Sequence, residues 1–184
     1  EPYRRQRQMC IRDRGGERGD GGAIEAGVYV GLRAKQYADV TLTGITVTGA
    51  HSGIFISEKY NLSAGIDVPW LTVLTMSDCV VTGGEWGGVY VRGTTNDEPT
   101  VFTAEDCSIT GGWYAVVGNG EQHNTAITLT DCDLTGTKGD PASTNYDGMG
   151  LGIYHPQEGT LVIDGGTVTG VAAGVEMRAG TLIV

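Results

Sequence analysis

One chemistry open to this chain is removal of a proton α to a carboxylate, which needs a base and a cation to stabilise the charge that develops. Arg92 is the candidate base, with Lys59 beside it one repeat earlier. A Ca²⁺ partner needs at least three converging oxygens. Glu176 is the one acid expected on the same face, while Asp67, Asp97, Glu98, Glu121, Asp140 and Asp147 lie in loops that could fold over it. A second series, Asp78, Asp106 and Asp131, recurs at 28 and 25 residues. Stacked carboxylates repel unless a cation screens them, which suggests a weak Ca²⁺ site; Asp also suits a bend by bonding its own backbone. Both readings stand.

Cys79, Cys107 and Cys132 recur at the same 28 and 25 residues. Zinc sites use converging ligands, often spaced Cys-x-x-Cys. Thiols in successive strands have parallel Cβ vectors, a poor geometry for a disulfide. The expected role is a column of small apolar side chains in the core. His51, His123 and His155 obey no spacing rule and are expected in surface turns.

What must position these residues is a repeated block. Leu42-Thr-Gly-Ile-Thr-Val-Thr-Gly49 recurs as Met76-Ser-Asp-Cys-Val-Val-Thr-Gly83, Ala104-Glu-Asp-Cys-Ser-Ile-Thr-Gly111, Leu129-Thr-Asp-Cys-Asp-Leu-Thr-Gly136 and Ile163-Asp-Gly-Gly-Thr-Val-Thr-Gly170. The closing glycines are 34, 28, 25 and 34 residues apart, and each block is followed by a short strand such as Gly53-Ile-Phe-Ile56, Gly88-Val-Tyr-Val91 or Gly174-Val-Glu-Met177. A period of this length built from short strands marks a solenoid. Ile127 and Leu129 point one way and Thr128 and Thr130 the other; the phase breaks at Thr130-Asp131, and Cys132 and Leu134 resume the inward set. Equivalent breaks fall at Thr43-Gly44, Ser77-Asp78, Glu105-Asp106 and Asp164-Gly165, where Gly or Asp tolerates a left-handed bend. Two inward ladders follow: Ile45, Cys79, Cys107, Cys132, Gly166, and Val47, Val81, Ile109, Leu134, Val168.

Three strands per turn, one short bend and two variable turns resemble the right-handed parallel β-helix of the pectate-lyase-like superfamily, over about residues 23–184. The resemblance rests on the repeat. It implies an all-β, single-stranded solenoid of five to six rungs in which the short bend joins the second and third sheets. Substrates of that family lie against the first sheet, which here takes the Gly-Val-Tyr-Val type strands. Its lyases use Lys or Arg as base, often with Ca²⁺. Alternation puts Tyr29 and Gly31, Phe55 and Ser57, Tyr90 and Arg92, Val117 and Asn119, Gly152 and Tyr154, and Glu176 and Arg178 on the outward side of those strands. Tyr29, Phe55 and Tyr90 then form an aromatic stripe over three successive rungs. That stripe either stacks on sugar rings or packs beneath the loop 57–70, whose Tyr60, Leu62, Ile66 and Trp70 need cover. Carbohydrate-contact candidates are Tyr29, Phe55, Tyr90, Asn119, Tyr154 and Arg178. A polygalacturonase-like hydrolase is excluded for this stretch: Thr95-Asn-Asp97 has the wrong order, and the accompanying Asp-Asp and Gly-His-Gly elements are missing from the sequence.

The 184-residue chain carries a formal charge of −10. Arg4-Arg-Gln-Arg-Gln-Met-Cys-Ile-Arg-Asp-Arg14 back-translates to a transposase adapter used in sequencing libraries, so residues 1–14 are read as non-native and disordered. Without their five Arg and two acids, 7 basic residues face 20 acidic ones, giving −13. Residues 15–22 are a Gly-rich lead-in, and 23–184 the repeat domain. Gly180-Thr-Leu-Ile-Val184 restarts the pattern of Gly159-Thr-Leu-Val-Ile163, so we expect a slice of a longer protein, cut at both ends. So acidic a chain does not track a phosphate backbone or an anionic membrane. No apolar run reaches the roughly 20 residues of a membrane span. The expected function is a rigid stalk or glycan-contacting, adhesin-like module of an extracellular or cell-surface bacterial protein, monomeric as a domain and without cofactor. The alternative is a polysaccharide lyase using Ca²⁺, its decisive residues partly outside this stretch.

Overall fold

A computed structural model of the chain describes residues 23–24, 28–29, 38–56, 64–68, 72–93, 99–118, 124–143 and 149–184. The described residues form three sheets whose strands all pair in parallel. The third sheet stacks β1 (Ala23–Ile24), β4 (Thr46–Gly49), β8 (Val80–Gly83), β11 (Ser108–Gly111), β14 (Asp133–Gly136) and β17 (Thr167–Thr169), in that order. The second stacks β3 (Ala38–Thr43), β7 (Thr72–Ser77), β10 (Thr100–Glu105), β13 (Thr125–Thr130), β16 (Gly159–Asp164) and β19 (Thr181–Ile183). The first runs β2 (Val28–Tyr29), β6 (Ala64–Val68), β5 (Ser52–Ile56), β9 (Gly87–Val91), β12 (Tyr114–Gly118), β15 (Leu151–His155) and β18 (Ala173–Met177). This is a parallel β-helix with three strands per rung.

The bend between the second and third sheets lies where the sequence places it. Gly44, Asp78, Asp106, Asp131 and Gly165 have φ of 62°, 53°, 51°, 49° and 75°. That is the left-handed region which Gly visits freely and Asp at modest cost. Hydrogen bonding continues through the bend: the amides of Asp78, Asp106 and Asp131 donate to the carbonyls of Glu105, Thr130 and Asp164 on the next rung, at 3.2, 3.1 and 2.8 Å. The Asp amides are therefore satisfied within the bend.

Inside, the ladders stack as expected. Val47 pairs with Val81, Val81 with Ile109, Ile109 with Leu134 and Leu134 with Val168; the first four are fully buried. Cys79, Cys107 and Cys132 are buried free thiols in the neighbouring column. Ile45 is half-buried against the core, whereas Gly166 is exposed with a φ of 73°, extending the bend by one residue. Fully burying an aliphatic side chain in such a column contributes roughly 1.5–3 kcal/mol. The recurrent Thr-Gly has a packing reason. A Cβ on Gly111 would stand 1.6 Å from the Tyr114 carbonyl oxygen, and one on Gly83 1.8 Å from that of Gly87. Each strand of the first sheet thus turns directly over the glycine that precedes it.

Three expectations about the first sheet are corrected. The loop 57–70 contributes β6, which enters the sheet between β2 and β5, so Tyr29 and Phe55 each pair with Asp67 and are not neighbours. Tyr60, Leu62 and Trp70 lie outside the described residues. Tyr154 pairs with Val117 and Glu176 and so belongs to the Phe55–Tyr90 column, two residues off the expected register. The long segment 137–150 before β15 hides where that strand starts, whereas β5, β9, β12 and β18 start three or four residues after their Thr-Gly. A phase slip also recurs near the strand start: a Cβ at Gly53, Gly88 or Gly152 would point inward, to within 2.4–2.6 Å of Val81, Ile109 or Val168, although Ile54, Val89 and Ile153 are core residues too. Strict alternation therefore fails at that step. The outward set begins instead with Gly87, Tyr114 and Leu151.

Candidate functional site

The outer face of the first sheet is where the resemblance would put a ligand. Phe55, Tyr90, Val117, Tyr154 and Glu176 run up it in one column. The Phe55 and Tyr90 rings are half-buried and lie 4.6 Å apart at 9°, face to face. In a parallel sheet, stacking along the axis spends ring faces on one another and turns the edges outward. A sugar ring needs a face, so this pair offers its edges and outer ends.

Above it the face closes. Tyr114, Val117, Leu151 and Tyr154 form a second apolar cluster, with Trp86, Tyr90, Trp113 and Met149 packed against it. Tyr154 retains 7% exposure and Tyr114 none. Their rings are 5.7 Å apart at 26°, Trp86 meets Tyr114 edge-on at 5.4 Å, and His51 lies over Trp86 at 6.2 Å. Lys138, from the segment after β14, ties that side down by donating to the Gly84 carbonyl at 3.0 Å. Sequence reasoning missed Trp86 and Trp113, which sit in the turns entering β9 and β12, and Tyr114, the first residue of β12. The available signal was their recurrence directly after the short turn that follows Thr-Gly.

Arg178 is exposed, pairs with Glu176 at 2.6 Å and lies 5.7 Å from the centre of the Tyr154 ring. Arg92 does not stand in an open face: it is only 8% exposed, at the end of β9, its amide bonded to the Ile56 carbonyl at 3.0 Å. Burial of this kind suits a structural guanidinium better than a base that must reach a bound chain. Lys59 and Asn119 lie outside the described residues, as do Asp97, Glu98, Glu121, Asp147 and His123. Tyr29 and Asp67 are placed in strands whose side chains are outside the description. So the structure brings Phe55, Tyr90, Tyr154, Glu176 and Arg178 onto one face, and leaves Arg92 covered.

Asp78, Asp106 and Asp131 are exposed at the bend, their left-handed backbone accounting for the residue type. Among the described residues no group of three or more His, Cys, Asp or Glu side chains is arranged to hold a metal ion. The thiol column is spoken for by hydrogen bonds: Cys79, Cys107 and Cys132 donate to the carbonyls of Ser77, Glu105 and Thr130 at 3.2, 3.2 and 3.3 Å. Hydrogen bonding to the Cys107 thiol, then burial, pushes Cys79 well up; Cys107 is raised chiefly by Cys132, while Cys132, bonded to Cys107, is moved down. His51 is half-buried in a turn, with Nδ1 3.0 Å from the Ser52 hydroxyl. His155 breaks the surface-turn expectation. It ends β15 on the inward side, at 1% exposure.

No protein-family model matches the chain, and no curated protein or solved structure matches it either. The family resemblance rests on the repeat.

Proposed function

We propose that the chain is a rigid, non-catalytic module of a secreted or cell-surface protein, a stalk built on a β-helix of the pectate-lyase-like type. One observation carries the reading: the face where that fold takes its substrates is filled by the chain's own Tyr114, Val117, Leu151 and Tyr154. A lyase would need that face open, with its base exposed on it. Glycan contact, in this reading, is confined to the rim, at the edges of Phe55 and Tyr90 and at the Arg178–Glu176 pair. The extracellular setting is supported by the resemblance and by the acidic composition.

The test pairs turnover with retention. Acidic and neutral polysaccharides are incubated with the full chain while the absorbance of unsaturated uronides is followed, and the same glycans are cast into affinity gels. The stalk reading expects no absorbance change and at most weak retardation, reduced by Tyr90→Ala. Product formation abolished by Arg92→Ala or Lys59→Ala would establish the lyase instead.

A further inference from the structure

The core carries one polar knot. Thr100 and Thr125, adjacent first positions of β10 and β13, are fully buried with inward hydroxyls. His155, next to Gly118 in the register that pairs Val117 with Tyr154, lies opposite them. Gln157 folds back into the same space at 2% exposure. Gly118 makes room for it: a Cβ there would overlap the Gln157 side-chain amide, 1.7 Å from Oε1. The Thr125 hydroxyl sits 3.2 Å from His155 Nε2 and donates to the Glu158 carbonyl at 3.4 Å, and Gln157 Nε2 donates to Thr125 Oγ1 and the Val91 carbonyl, both at 3.5 Å. Thr100 Oγ1, His155 Nδ1 and Gln157 Oε1 have no aligned protein partner.

We propose that this knot is a pH-sensitive latch, which holds the rungs around β15 and β18 together at neutral pH and releases them in acid. The neutral form suits the site. The Thr125 hydroxyl contacts its Nε2 and is in turn held by Gln157, and the three remaining atoms are of the kind a buried water serves. The imidazolium does not. Among the described residues, Thr100 on β10, Thr125 on β13, Met177 on β18, Gly118 on β12 and Gln157 in the following turn are uncharged; Arg92, buried directly after Val91 of β9, is a cation and disfavours a second one; and the flanking Glu158 and Arg178 are exposed. Burial depresses the His155 pKa, opposed by the carbonyls of Ala179 and of His155 itself. A depressed folded-state value leaves full stability above the ordinary imidazole pKa of about 6.5. Stability is then lost as pH falls from there toward the folded-state value, because the unfolded chain takes up the proton first. Carboxylates titrate lower, at about 4, so this window belongs to histidine.

The experiment follows thermal unfolding and amide exchange of the full chain between about pH 7.5 and pH 5.5, the range in which histidine changes charge. The midpoint should fall by several degrees across it, with exchange accelerating first in β15 and β18. His155→Leu should flatten the dependence. Since a leucine there could fail to fold, the imidazole is also titrated by NMR in the unsubstituted chain. Resonances of a neutral His155 persisting below the ordinary titration range support the latch. A His155 that titrates normally in the folded chain, or a pH slope surviving His155→Leu, overturns it.

Discussion

Two corners of the cross-section bring non-aliphatic side chains into the core, on different terms. At the bend, Cys79, Cys107 and Cys132 stack in one column, each thiol bonded to the carbonyl two residues before it. Where the first sheet passes into the second, Thr125, His155 and Gln157 make four bonds of 3.2–3.5 Å, two of them to the Glu158 and Val91 carbonyls, and with Thr100 leave three polar atoms unmatched. A thiol is a small hydrophobe with a weak donor, and burying it costs little. An imidazole and an amide keep strong hydrogen-bonding demands, and each unmet one costs about 1–3 kcal/mol. The coil is thus stiff at one corner and conditionally stable at another, although the same repeat builds both.

That contrast can be broken most forcefully on the stiff side. Leu134→Ala, in the column beside Cys132, should cost about 2–5 kcal/mol in denaturant unfolding, as a cavity in a closed core does. A loss under 1 kcal/mol would mean the bend side relaxes easily, and the comparison fails. On the other side, Thr125→Val keeps volume but strips the hydroxyl that His155 and Gln157 share. It should cost about 1–3 kcal/mol through the buried groups left unpaired, and a neutral result would show that the knot holds without it. The smallest effect sharpens the account of the bend itself. Asp106→Ala should cost about 1–2 kcal/mol for a left-handed residue, while Asp106→Gly should be near neutral, since Gly carries no such penalty. Equal losses for the two would point to a side-chain role for the Asp column.

Legibility followed the same division. The bend was readable residue by residue because only Gly and Asp tolerate its backbone, and the inward ladders because alternation on either side of it is strict. Alternation failed at Gly53, Gly88 and Gly152, where two consecutive positions face inward, and Tyr154 fell in another register because the long segment 137–150 hides where β15 starts. Lacking a side chain, a glycine carries no hydropathy signal to reveal the slip. Arg92 and Tyr154 were expected at the surface because polarity and parity say so, but both are buried, and the Trp86 and Trp113 packed against the Tyr154 cluster come from turns of other rungs. His155 had no repeat partner to betray its direction.

By itself, then, the repeat determined the three-strand coil, its tight bend, its thiol column and its aliphatic core, since each is a local choice made again on every rung. Only the tertiary structure decided that β6 enters the first sheet, that the outer face of that sheet is filled by the chain's own apolar side chains, and that a histidine is locked inside. Those outcomes depend on side chains that meet across rungs from non-repeating turns, and a periodic pattern carries no information about them.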